Sequence, residues 1–277
     1  MKKCLLYFFL LPIFTFSQNS KLDKVDKIIY SYMPVNSIEE LAKRIDYDFP
    51  TKEEKIRALY TWIAYNITYF EPPVDNFIKV PEIYVVTDQE DLNRRILKEN
   101  EEIIASTFTN RQAVCKGFAL LFNKVCTLLK IQNELVKGYV KVDAVMIGKI
   151  PKNKNHVWNA VKLADKWIFI DATWGSEHRN NKNFKKRLNT YFNIKKEDLR
   201  LTHYPSNTFW SDYINHKSLT DFCDQPVFNE GIISSEIEII EPKVGEIIVD
   251  KNKKINLKFK GLNFTKKFTT RTTMTFI

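Results

Sequence analysis

The 277-residue sequence predicts an α+β chain, with helices packed on an antiparallel sheet and a short β-rich extension at the C-terminal end. Three observations predict it. Apolar residues recur at helical period in the stretches 51–70 and 115–129, short β-branched and aromatic segments take over between 136 and 174, and a strand-like alternation returns beyond Val227. With 44% hydrophobic residues the chain can bury a sizeable core.

The first segment to account for is Lys2-Lys3, followed by an apolar run from Cys4 to Phe16 and a polar turn at Ser17-Gln18-Asn19-Ser20. This is the three-part pattern of a secretory signal peptide, with cleavage expected after Ser17. The domains are therefore read as signal 1–17, a main domain 18–226 and an extension 227–277. The apolar run is too short to span a bilayer and no later stretch reaches about 20 apolar residues, so no integral membrane segment is expected after signal removal. The mature chain is expected to be exported, to a periplasm or the extracellular space. It would keep Cys115, Cys126 and Cys223, an odd number that cannot form a dense disulfide framework.

Short helices are expected over Ser20 to Met33 and Ser37 to Ile45, the second opened by Ser37 with Glu40 three residues on. Thr51 and Glu54 repeat that capping signal. The helix they open carries Ile56, Leu59, Tyr60, Ile63, Ile67 and Phe70 on one stripe, and Pro72-Pro73 should end it. Asp88 to Phe108 reads as one or two surface helices. A buried helix begins at or near Cys115, with Phe118, Leu121, Phe122, Val125, Cys126 and Leu129 on its stripe. Strands are expected over Val136 to Val145, His156 to Leu163 and Trp167 to Trp174, the last two forming a hairpin about Ala164-Asp165-Lys166. After Val227, the segments Ile232 to Val249 and Ile255 to Phe259 alternate like strands. Together they amount to half of an immunoglobulin-like sandwich.

Several function classes are disfavoured. The seven glycines include no GxGxxG or Walker spacing, so a phosphate loop of either kind is absent from the sequence. The net charge of +10 is spread through Asn-containing runs, Lys149 to Lys154, Arg179 to Arg187 and Lys251 to Lys254, which read as solvated loops rather than a nucleic-acid surface. No CxxC or HExxH motif joins the cysteines to the four histidines, so neither a metal nor another cofactor is expected.

The chemistry-bearing residues lie in the middle of the chain. Strand alternation places His156, Trp158 and Ala160 on one face and Val157, Asn159, Val161 and Leu163 on the other. If Lys162 pairs with Trp167, His156 falls opposite Thr173 and diagonal to Asp171, within roughly 7–8 Å at the backbone. A thiol at a helix start, a strand imidazole and a carboxylate on the paired strand are the parts of an acyl-transfer cysteine enzyme. The helix end and an imidazolium favour the thiolate, the imidazole moves the proton, and the carboxylate orients the imidazole.

Three segments carry a family resemblance: Ala113-Val114-Cys115-Lys116-Gly117-Phe118-Ala119, His156-Val157-Trp158-Asn159, and Trp167-Ile168-Phe169-Ile170-Asp171-Ala172-Thr173-Trp174-Gly175. They resemble the signature segments of the transglutaminase-like superfamily. The helix Ile56 to Tyr69 is similar to that family's opening helix. Thr190-Tyr191-Phe192, Thr202-His203-Tyr204-Pro205, Trp210 and Phe222 resemble the branch containing kyphoscoliosis peptidase and a fungal cytokinesis protein. The likeness covers about residues 50–226. It implies a papain-like transglutaminase core with Cys115 as nucleophile, His156 as general base and acid, and Asp171 as the orienting carboxylate. Ala113 stands where the family often has glycine. Gln112 is an oxyanion-hole candidate by residue type, at a shorter spacing from the cysteine than papain-like enzymes use.

The expected function is attack on a protein or peptide amide, forming a thioester at Cys115 that passes its acyl group to water or an amine, with hydrolysis preferred. Trp158 and Trp174 are candidates for the substrate cleft, with Trp167 nearby. The alternative is a non-catalytic module of the same fold that binds protein or cell wall through that aromatic surface. His178, His203 and His216 read as structural or exposed, His203 as the packed one.

Overall fold

The computed structural model describes residues 14–70, 88–176, 183–228, 233, 238–247 and 258–261, with side chains from Lys21 onward except that of Phe259. The expectations for 1–13, for Pro72-Pro73, for His178 and for the segments 234–237 and 248–257 lie outside the described residues. The chain divides into two compact units, one of residues up to Val136 with Val157–Ile194, the other of Lys137–His156 with Lys195 onward.

In the first unit, α1 (Phe14–Tyr30), α2 (Ile38–Asp48) and α3 (Lys52–Asn66) follow one another. Both capping signals are used: Ser37 accepts from the Glu40 amide, and Thr51 and Glu54 form a complete capping box. Ile56, Leu59, Tyr60 and Ile63 of α3 are fully buried. This helix ends at Asn66, short of the expected Phe70, because its next backbone groups are engaged elsewhere. The Thr68 amide donates to the Arg111 carbonyl at 2.8 Å and the Phe70 amide to Ala113 at 3.0 Å. These bonds join β1 (Thr68–Tyr69), across the 22-residue α4 (Gln89–Asn110), to β2 (Gln112–Ala113) in a parallel pair. α4 is a single helix capped by Asp88. Its last turns reach the core through Ile104 and Phe108, while Leu92, Ile96 and Leu97 stay exposed.

α5 (Cys115–Leu128) starts at the cysteine, and its apolar stripe enters the same core, with Cys126 completely buried. Gly117 permits the start. A Cβ there would lie 2.4 Å from Thr107 Oγ1 and 2.6 Å from the Ala113 Cβ, so α4 and β2 can approach this turn only over glycine. Ala113 itself is extended strand and needs no glycine conformation.

A four-stranded sheet follows, in the order β5-β4-β3-β6, from β3 (Asn133–Val140), β4 (His156–Leu163), β5 (Lys166–Ile170) and β6 (His203–Pro205). β3 stops at Val140 rather than Val145, because the Asn155 side chain closes on Val140, accepting from its amide at 2.9 Å and donating to its carbonyl at 3.0 Å. The hairpin register is the expected one, Lys162 opposite Trp167, and Ala164 at φ 50° supplies the left-handed turn residue. Asn159, Val161 and Leu163 share the α5-facing side: Asn159 donates to the Ala119 carbonyl at 3.1 Å, and Val161 and Leu163 pack in the core cluster.

β5 does not continue to Trp174. Asp171 ends it by capping α6 (Ala172–Ser176), with Oδ1 accepting from the Trp174 amide and the carbonyl accepting from Gly175, both at 3.0 Å. Thr173 is therefore helical, not the strand residue expected opposite His156, and the β4–β5 register runs from Asn159 opposite Ile170 to Leu163 opposite Lys166. α6 lies close on α3, since a Cβ at Gly175 would come 2.1 Å from Tyr60 Oη. The basic run Arg179 to Arg187 is not wholly loop, because α7 (Phe184–Thr190) begins within it and Arg187 donates to the Trp174 carbonyl at 3.2 Å.

An ion pair that the periodicity does not announce sits inside this unit. Arg57 is fully buried on α3 and grips Asp26 of α1 with two bonds, Nε to Oδ1 at 2.8 Å and Nη2 to Oδ2 at 2.6 Å. The same guanidinium reaches the Leu188 carbonyl and Asn189 Oδ1 of α7, and Thr61 donates to Asp26.

The second unit pairs the end of β3 with β6, Gly138 opposite Pro205 and Val140 opposite His203. It also holds α8 (Lys196–Thr202), α9 (Thr208–Tyr213), α10 (Leu219–Asp224) and the pair β7 (Glu238–Glu241) and β8 (Lys258–Lys260), the strands described in the extension. Lys141 turns inward and donates to the carbonyls of Phe222, Cys223 and Gln225 at the end of α10. His216 packs against Tyr204 and Phe222, and its Nε2–H donates to the His203 carbonyl at 2.6 Å. Burial, with Arg200 and His203 adding to it, pushes its pKa down to about 4.

Between that value and the ordinary 6.5 the unfolded chain holds a proton that the fold excludes. The stability concerned is present above pH 6.5 and is lost as pH falls toward 4, by at most roughly 3 kcal/mol. Denaturant unfolding between those pH values should show a slope that His216→Gln flattens. An identical slope in the variant would refute the assignment. No described helix is long and apolar enough to cross a membrane.

Candidate active site

Cys115 is the first residue of α5. Val114 at the cap makes no side-chain bond to the first-turn amides, so the positive end of a 14-residue helix is left uncapped beside the thiol. Cys115, Cys126 and Cys223 are all free thiols, but only Cys115 among them keeps accessible surface. Cys126 is sealed in the core and burial drives its thiol pKa upward. Burial raises that of Cys223 as well.

His156 opens β4 and is buried, its ring centroid 5.6 Å from that of His203 on β6. His203 is packed, as the sequence suggests, but against another imidazole, which no sequence pattern announced. Its tautomer follows from its neighbour. Thr202 Oγ1 donates to the Asp198 carbonyl at 3.0 Å, so it can only accept across its 2.7 Å contact with His203 Nδ1. That places a His203 proton on Nδ1.

Asp171 is fully buried where β5 gives way to α6. Its Oδ1 serves the helix cap, its amide donates to the Tyr191 carbonyl at 3.0 Å, and Oδ2 is not used by the cap. Tyr60 lies near enough for the carboxylate to contribute, behind burial, to a phenol pKa well above its ordinary value. Sequence reasoning overlooked Asn159 as well. Its bond to Ala119 ties the histidine strand to the cysteine helix, and the visible signal was a polar residue on an otherwise apolar strand face.

Trp158 is only 1% exposed and presents no surface, whereas Trp174 is half-buried, with its ring 5.4 Å from Tyr191 in an edge contact. Trp167 lies on β5, 5.3 Å beneath the Lys162 ammonium. Gln112 is exposed in β2.

Residues 39–172 match the family model described as the transglutaminase-like superfamily, a span that contains Cys115, His156 and Asp171. The chain carries a transglutaminase-like domain. It is similar to kyphoscoliosis peptidase of Homo sapiens, 25% identical over 227 residues, which are 79% of this chain and 31% of that protein. The Mus musculus protein is 24% identical over 225 residues, 78% of this chain and 31% of its own. A shorter likeness, 30% over 95 residues, links 32% of the chain to 10% of cytokinesis protein 3 of Saccharomyces cerevisiae. Among solved structures, a transglutaminase crystal structure overlaps 60% of this chain and 41% of its own, at 16% identity and a TM-score of 0.30. The match to kyphoscoliosis peptidase spans 31% of that relative's length. The transglutaminase-like domain accounts for helices packed on an antiparallel sheet, as the sequence predicts.

Proposed function

We propose that the transglutaminase-like domain catalyses acyl transfer from protein or peptide amides, with Cys115 as nucleophile, His156 as general base and acid, and Asp171 as the carboxylate that orients His156. The observation that carries this reading is a surface-accessible thiol at an uncapped helix start, set against two sealed thiols. In the first step His156 removes the thiol proton, the sulfur attacks the amide carbonyl, and the imidazolium returns the proton to the leaving amine. In the second, imidazole deprotonates water, or an acceptor amine, as it attacks the thioester, and the thiol is regenerated. The relatives' description as a peptidase favours water as acceptor. Trp174, the half-buried candidate, would border the substrate.

Substoichiometric iodoacetamide near neutral pH should label Cys115 well before Cys126 and Cys223, and His156→Ala should slow that labelling. Equal labelling of the three thiols, or indifference to His156→Ala, would replace the enzyme by the binding module. Export, which rests on the Lys2 to Ser17 pattern, predicts a mature N-terminus at Gln18 or within a residue or two. N-terminal sequencing that finds Met1 retained on protein in the cytoplasmic fraction would contradict it.

A further inference from the structure

The first unit holds a recess of about 220 Å³ whose lining includes Tyr30, Tyr32, Val35, Trp62, Tyr65 and Arg111. Its walls are aromatic, and its one guanidinium is under-compensated. Arg111 lies over two rings, 4.2 Å from the Phe108 centroid and 4.7 Å from that of Trp62. Its Nη2, at the partly buried edge of the guanidinium, makes one long bond to the Val35 carbonyl at 3.4 Å, and Nη1, enclosed by the protein, has no hydrogen-bond partner among the described residues. Burial lowers its pKa, the response of a charge taken from water without a counter-ion. By contrast, the guanidinium of Arg57 in the same unit is fully paired with Asp26.

An arginine stacked on aromatic faces remains able to receive a carboxylate at its edge, and that is the strongest hydrogen-bonding pair open to it. The recess is smaller than the roughly 300–1,000 Å³ of drug-sized sites, so its occupant is a single ring with a short acidic arm. We propose that this recess binds a small aromatic monocarboxylate, with its carboxylate on Arg111 and its ring among Tyr30, Trp62 and Tyr65. The proposal is independent of the acyl-transfer reading, because none of these side chains belongs to the Cys115, His156 and Asp171 set.

The probe is 3-phenylpropionate, with 3-phenylpropionamide as its uncharged counterpart, titrated against the full chain by calorimetry and by chemical-shift change at the Trp62 indole. The acid should bind with a Kd on the order of 1 mM or tighter, and the amide at least tenfold more weakly. Arg111→Gln should reduce acid binding to the level of the amide. Should that variant fail to fold, the contrast between acid and amide in the native protein, and its decline with added salt, decides the matter. Equal affinity for acid and amide, acid binding unchanged in Arg111→Gln, or no Trp62 response at concentrations tenfold above the expected Kd would overturn the proposal.

Discussion

Arg57→Met should destabilise the protein by about 3–5 kcal/mol, because it leaves the Asp26 carboxylate buried with no cation opposite. Asp26 and Arg57 are both enclosed at 2.6 Å separation, and the same guanidinium holds α7 through Leu188 and Asn189. Thr61 alone cannot neutralise the charge that remains. For a domain of this size the loss corresponds to a fall in melting temperature of roughly 10 °C. Asp26→Leu combined with Arg57→Met should recover much of it, since removing both charges removes the desolvation penalty with the attraction. Thermal unfolding of the three variants measures this, and a single Arg57→Met that unfolds with the wild-type protein would show that the pair is inert.

Asp171→Asn separates the two tasks assigned to that side chain. Asparagine caps a helix about as well as aspartate, so α6 should survive and thermal stability should change by less than about 1 kcal/mol. Asparagine cannot stabilise an imidazolium, however, and the wrong imidazole tautomer is favoured beside it. Turnover should therefore fall by roughly 10²–10⁴-fold with little change in folding. Asp171→Ala should lose both the cap and the activity. If Asp171→Asn keeps full turnover, the carboxylate is a capping residue alone and the triad reading fails.

Much of this was legible in local chemistry. Ser37 and Thr51 with their partner glutamates mark two helix starts because capping is decided within four residues of chain. β4 has the bounds its β-branched and aromatic pattern gives, and the Lys162 to Trp167 register follows from a short turn. The errors arise where a distant partner decides. Ile67 and Phe70 fit the stripe of α3, yet the Thr68 and Phe70 amides bond the segment ending α4, and no local propensity can foresee that. At Asp171 the signal was present but ambiguous: an aspartate between apolar residues can face out from a strand or cap a helix, and burial of Ala172 and Thr173 satisfies either pattern. Arg57 was hidden by its apolar neighbours, because its counter-ion lies on another helix 31 residues earlier.

The central claim is that a thioester forms at Cys115, and intact-protein mass spectrometry after brief incubation with a mixed peptide and amine pool, quenched in acid, tests it most directly. The account predicts an acyl adduct on the peptide bearing Cys115, released by hydroxylamine, lost in Cys115→Ala, and accompanied by cleaved, deamidated or crosslinked products. An adduct confined to Cys126 or Cys223, or an unmodified Cys115 with every peptide in the pool intact, would contradict it.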